Sequence, residues 1–532
     1  MSDWSLILTL LPIAVILIML IVFKKAADIS GIVGWVAISL VALFFFNTKL
    51  EVIFRSTGAG LIRSMSVSMI VATSLLQMAF MEKTGALKRI IIFVKTIASE
   101  NRAVQIMLIN IGFGTLMVSV GATPVSLLPP ILIAMGYSTY VAIALPAVGY
   151  DSLCTYALLG APIVVFVDIA NSFLGPGNEI SLHQAGMIFF MFLPLVSTLI
   201  GFCMLWIVGK WEAIKEGWFV CLLTGFTIGV VSYFTNQFDN LVVLTGVACG
   251  IAVIFVMAGY LKITGKPLID RTRLTQEELD YEKKYPLWKA LMPWILLILM
   301  ILALNLPKDV FNYLYRTLKL PINGLTADGK PLDTRALWQA YTWIFVSIIV
   351  AIPFMKPTKQ QLKDTWKVWL KRAPRPVFAA AIFFAIGEIM NMTGFSMATG
   401  KFETASMVKV LADSSAQFFQ HAYGGIVSFI GLFGGFITGS EASAIAMFSK
   451  YALTTGKNLA LSTDGLLIIA AGLAFGGGLA SVISPAKLQN AAAAIDKIGE
   501  ENKVIRIAFV FSLILTAVSS VFVLILLATK GM

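Results

Sequence analysis

The sequence predicts an all-α, polytopic membrane protein whose two inverted-topology repeats carry broken or re-entrant helices that meet near the bilayer midplane. Three observations predict it: the composition, the order of apolar runs and basic loops, and motifs of the first half that recur in the second. Of 532 residues, 58% are hydrophobic and 13% charged, and the mean hydropathy is +0.88. A soluble chain carries roughly 25% charged residues, and single cores stop growing at about 250–300 residues. With about 20 apolar residues per span, the chain has room for roughly a dozen spans. A cytosolic enzyme, a secreted domain and a nucleic-acid binder are excluded. The net charge of +12 is the basic excess that cytoplasmic loops carry.

Apolar runs fall at 4–23, 30–46, 64–82, 103–120, 123–136, 139–169, 186–208, 215–234, 240–262, 289–305, 337–354, 374–392, 424–447, 464–484 and 504–528. The first lacks a basic leader and a cleavage site, so it reads as a span and not a removed signal. Cys154, Cys203, Cys221 and Cys249 lie in apolar stretches and read as buried hydrophobes. The two histidines, His183 and His421, have no ligand-spaced partners, so no metal site is expected. His421 reads as an interfacial residue.

Two loops set the topology. Residues 355–375 carry seven basic residues against Asp364, and 262–289 carry seven against five acids; both are expected in the cytoplasm. Thr275-Gln276-Glu277-Glu278 forms a capping-box pattern for a short helix. By parity, 306–336 and both termini lie outside, 64–82 runs inward and 374–392 runs outward. The organisation expected is a first repeat over 1–235, an extra helix and connector over 236–288, and a second repeat over 289–532. Met81-Glu82-Lys83-Thr84-Gly85 matches Met390-Asn391-Met392-Thr393-Gly394. Gly121-Ala122-Thr123 matches Gly439-Ser440-Glu441, and Leu159-Gly160-Ala161-Pro162 matches Val482-Ile483-Ser484-Pro485. Inverted repeats of this kind bind substrate where the halves meet.

The chemistry is expected at helix breaks. Unpaired backbone survives at membrane depth only inside protein or around a water-filled cavity. Breaks are read in 112–136, 149–165, 431–449 and 474–494. Small hydroxyl residues before a resumed helix suit an anion, which singles out Gly121, Thr123, Ser126, Gly439, Ser440, Ser443 and Ser484. The alternative is that these small residues only let helices pack closely. Ionisable residues inside spans are costly and tend to be functional: Lys487 suits a substrate carboxylate, while Glu441, Asp151 and Glu388 suit a coupled proton. The alternative for each is a packed, paired charge. No enzyme signature, nucleotide cassette or cofactor motif occurs, so the chain reads as a non-enzyme that uses an ion gradient.

The stretches FIGLFGGFITGSEASAIAMFSKYA and GLASVISPAKLQNAAAAIDKIGEENKVIRIAFVFSLIL, with KTGALKRI, NIGFGTLMVSVGATPVSL and LLGAPIVV before them, resemble the bacterial lactate permease family. The chain departs from that family's pattern at 117–125, where an acid and two glycines are missing. It departs again at Glu441 (an Asp in the family), at Ala486-Lys487 (a Gln) and at Asp151 (an Asn). The resemblance implies a proton-coupled symporter of a small 2-hydroxy monocarboxylate, such as L-lactate or glycolate, in the plasma (inner) membrane of a bacterium or archaeon. The alternatives are a sodium-coupled carrier of a dicarboxylate or sulfonate and a membrane-embedded subunit of a larger assembly. The partners implied are the anion, a proton or sodium, and lipid, with room for a homo-oligomer.

The topology has a direct test. A cysteine introduced at position 364 should resist an impermeant thiol reagent applied outside intact cells; rapid labelling there overturns the inside assignment of 355–375.

Overall fold

The computed structural model describes residues 3–97, 100–122, 124–272, 274–497 and 499–531. Among these, eleven helices are long and apolar enough to cross a membrane, or twelve if Met292–Asn305 and Lys308–Thr317, bent by 88°, form one span. The strands form two short antiparallel pairs, Leu320–Ile322 with Leu332–Thr334 and Phe395–Ser396 with Lys401–Phe402. Large apolar side chains such as Phe44, Phe226, Phe255 and Val521 point outward, a surface suited to lipid and not to water.

Phe192–Asn236 is longer than any single span needs. Gly209 and Lys210 leave helical geometry (φ −155 and 51). A Cβ on Gly201 would stand 3.1 Å from Cys221 Sγ, and one on Gly217 2.6 Å from Leu205 Cδ1. The arms before and after the break therefore run side by side and antiparallel, as the separate apolar runs 186–208 and 215–234 predict.

Elsewhere the structure corrects the expected bounds. The 64–82 run is the inner part of Leu50–Lys83, 34 residues long and about 51 Å at 1.5 Å per residue. Its first turns carry Glu51, Arg55 and Arg63, which hide the helix from a hydropathy window. Glu51 and Arg55 pair at 2.9 Å, four residues apart, and so support the helix they obscure. The basic loop 355–375 contains the helix Lys359–Arg372, started by a capping box between Thr358 and Gln361. Its Trp369 donates to the Ala72 carbonyl at 2.8 Å.

Glycines set how closely the interior helices approach. A Cβ on Gly60 would lie 2.5 Å from Ala385 Cα, so Leu50–Lys83 meets Pro374–Met392 backbone to backbone. On another face of Pro374–Met392, a Cβ on Gly387 would stand 3.0 Å from the Ala446 carbonyl. A Cβ on Gly431 would overlap the Leu473 carbonyl, and one on Gly476 that of Ser428. The Gly-rich run at 474–478 lies inside the continuous helix Thr463–Ser481 and serves close packing, which small residues permit; the break expected within 474–494 falls after it, between Ser481 and Pro485.

The capping box at Thr275 is present, opening Gln276–Lys284. That helix docks on Ala86–Lys95 through Lys88–Glu277 (3.0 Å), Arg89–Glu282 (2.8 Å) and Lys95–Glu278. Burial pushes the Glu278 carboxyl up, but the hydrogen bonds from Lys95 and Thr275 outweigh it and hold the group below the ordinary carboxylate value. A lowered folded pKa contributes stability above the unfolded value and loses it as pH falls through the folded one. The protection factors of the 276–284 amides, referred to the intrinsic exchange rate at each pH, should therefore fall below about pH 4 and fall less in Glu278→Gln; protection that stays constant across that range removes this anchor.

Candidate functional site

Tyr423–Thr438 ends at Gly439, whose φ of 67 is left-handed and favours glycine. Thr438 Oγ1 accepts the Ser440 N–H at 3.3 Å across the turn, and Glu441–Asn458 resumes the helix. Glu441 is 2% exposed. Its Oε1 accepts a hydrogen bond from Thr155 Oγ1 at 2.6 Å, and its Oε2 is buried without one among the described residues. Thr155 lies in the irregular segment Tyr150–Tyr156, between two helices of the first half. The Cys154 thiol flanks the carboxyl. A Cβ on Gly478 would stand 2.7 Å from Oε2, so only glycine leaves that oxygen space.

Two more of the expected residues join this place. Ser484 is buried, and a Cβ on Gly439 would stand 3.3 Å from its Oγ. The Ser484 carbonyl accepts the N–H groups of Lys487 and Leu488 at 3.1 Å, so Ser484 starts Pro485–Ala493. Lys487 is partly buried in the first turn of that helix. Leu488 packs with Cys154, Ala157 and Val118, which ties the turn to the first half.

The remaining expectations fall differently. Gly121 is left-handed, with φ 90, but a Cβ there would stand 2.9 Å from Ser74 Cβ; it faces Leu50–Lys83 and not Gly439. Ser440 holds the N-cap position without a side-chain cap, so its expected capping role is not met. Ser443 sits inside the resumed helix with Oγ buried and without a hydrogen bond among the described residues. Thr123 lies outside the described residues. Ser126 is in Pro124–Ala134 and Asp151 in Tyr150–Tyr156, with side chains outside the description. Glu388 is buried 3.8 Å from Arg63 and within electrostatic reach of Lys450. Lys450 is nine residues beyond Glu441, about 14 Å along the helix, so Glu388 belongs to another cluster.

Sequence reasoning missed Thr155, Arg63 and Lys450. Thr155 could have been found, because it is a hydroxyl inside the 149–165 break. Arg63 and Lys450 carried no signal beyond their charge.

An L-lactate permease family model matches residues 5–529. The chain is 22% identical to glycolate permease GlcA of Escherichia coli, over 98% of this chain and 95% of that protein. It is 22% identical to the Escherichia coli L-lactate permease, over 96% and 94%. Among solved structures, the YdaH transporter of Alcanivorax borkumensis aligns at a TM-score of 0.42 and 12% identity, covering 86% of this chain and 85% of that one.

Thr155→Val keeps the shape and removes the one hydroxyl donor to Glu441 among the described residues. The loss should destabilise the protein by about 1–3 kcal/mol, the cost of leaving a buried polar group unsatisfied, while Thr155→Ser stays near wild type. Thermal unfolding of the purified protein checks this; equal stability of the Val and Ser variants denies the bond any structural weight.

Proposed function

Because this chain belongs to the L-lactate permease family, we propose that it is a secondary transporter of the plasma membrane that imports a 2-hydroxy monocarboxylate such as L-lactate or glycolate together with a proton. The observation that carries this reading is the Glu441 carboxyl, buried where a turn of the second half meets Cys154 and Thr155 of the first. An anion moving alone into a negative interior is opposed by about 2.3 kcal/mol per 100 mV. A co-transported proton removes that opposition. Thr155 engages one carboxyl oxygen, which leaves Oε2 to hold the proton and donate it in a hydrogen bond to the substrate. An ionised Glu441 would instead repel a carboxylate beside it, so the proton binds first and the anion second. Ser484 and Lys487 on the neighbouring turn complete the substrate site, Lys487 supplying positive charge. Asp151, in the same break as Thr155, is the second choice for the proton.

The reading includes an inverted repeat, 1–235 against 289–532, with 236–288 between them. Reciprocal packing supports it. Ala27–Phe45 rests on Pro374–Met392, while Ala340–Met355 rests on Leu50–Lys83; Ala157–Leu174 rests on Glu441–Asn458, while Pro485–Ala493 rests on Pro124–Ala134. Each pair exchanges the parts of the two halves.

Glu441→Gln should keep exchange of labelled lactate between equal pools in proteoliposomes and lose accumulation driven by a pH gradient. Lys487→Gln should raise the concentration needed for half-maximal exchange. Accumulation by Glu441→Gln under a proton gradient moves the proton elsewhere, and wild-type uptake that follows sodium alone contradicts the proton assignment.

A further inference from the structure

Outside the Glu441 site, three helices bring two cations and one acid together inside the protein. Arg63 stands on Leu50–Lys83, Glu388 on Pro374–Met392 and Lys450 on Glu441–Asn458. The glycine contacts place them. Gly60 abuts Ala385, and Arg63 follows one turn later; Gly387 abuts Ala446 and Met447, with Glu388 next in one chain and Lys450 one turn on in the other.

The cluster is not a closed salt bridge. Arg63 Nη2 is 3.8 Å from Glu388 Oε1, which is within ion-pair range and too long for a hydrogen bond. Arg63 Nε and Asn391 Oδ1 are buried without a hydrogen bond among the described residues. Lys450 lies in the field of both Arg63 and Glu388. Asp328, on the hairpin loop nearby, also reaches the cluster, but its carboxylate pairs with Lys330 at 3.6 Å. One acid thus faces two cations in partly desolvated surroundings, where an uncompensated charge is costly. A visiting anion offsets that excess. A 2-hydroxy acid also offers a hydroxyl donor, which suits the unmatched Asn391 oxygen.

We propose that Arg63, Lys450 and Asn391 form a second carboxylate-binding station, about 14 Å along the shared helix from Glu441, where the substrate anion displaces Glu388 as counter-ion on its way to or from the central site. The station rests on the reading of the protein as a hydroxy-acid transporter. Glu388 acts in it as a built-in competitor, a role that a purely structural ion pair does not have.

The test is L-lactate counterflow in proteoliposomes with Arg63→Gln, Lys450→Gln, Glu388→Gln and the double variant Arg63→Gln/Glu388→Gln. Each variant that removes a cation should raise KM about tenfold or more, as loss of a hydrogen bond to a charged group does, with maximal rate much less affected. Glu388→Gln should lower KM, the opposite sign. The double variant removes both charges of the pair, so it remains informative if Arg63→Gln alone fails to fold. Unchanged KM in all folded variants of a lactate-transporting protein overturns the station and leaves the function standing. If the wild type transports no hydroxy acid, the functional reading has failed. The station is then judged by equilibrium binding of L-lactate to the purified protein, and binding that Lys450→Gln does not weaken overturns it.

Discussion

A carboxyl buried away from water must find its partners inside the protein, and here one side chain from the other half of the chain supplies a donor. The Thr155–Glu441 hydrogen bond, 2.6 Å long, holds together two irregular segments that could not survive facing lipid, where every exposed backbone group costs several kcal/mol. The turn at Gly439, the segment Tyr150–Tyr156 and the restart at Ser484 all lie against packed helix. Each break is tolerated because the others cover it. The same enclosure keeps water from the carboxyl.

Backbone contact between helices is the second constraint, and glycine provides it. Gly431 and Gly476 let Tyr423–Thr438 and Thr463–Ser481 touch along their length, which fixes the wall behind Glu441. Gly60 and Gly387 do the same on both sides of Pro374–Met392. Without those contacts Arg63, Glu388 and Lys450 would sit on separate helices with no common field. Small residues thus do two jobs: they position charges through close packing, and at turns such as those of Gly121 and Gly439 they supply a left-handed backbone.

Much of this was legible in the sequence. Long apolar runs gave the spans to within a few residues, as with Pro374–Met392, because hydrocarbon imposes length and composition together. The capping box at Thr275 and the break at Gly439 were readable because each depends on a local pattern. Other features were hidden for physical reasons. A glycine run at 474–478 reads alike whether it ends a helix or packs one. Leu50–Lys83 begins with charged turns that dilute its hydropathy. Gly121 and Gly439 match as motifs and share the left-handed backbone, yet they face different neighbours, which only tertiary packing decides. Thr155 was invisible as a partner of Glu441 because 286 residues separate them.

The central claim is that the transported anion passes beside Glu441 where the two halves meet, and Cys154 is a native reporter of that place. In a variant that keeps Cys154 and replaces Cys203, Cys221 and Cys249 with serine, the rate at which a small methanethiosulfonate modifies Cys154 should be measured with and without L-lactate. Slower modification in proportion to lactate occupancy is the predicted result. A variant that transports lactate while Cys154 reacts at the same rate throughout contradicts the account.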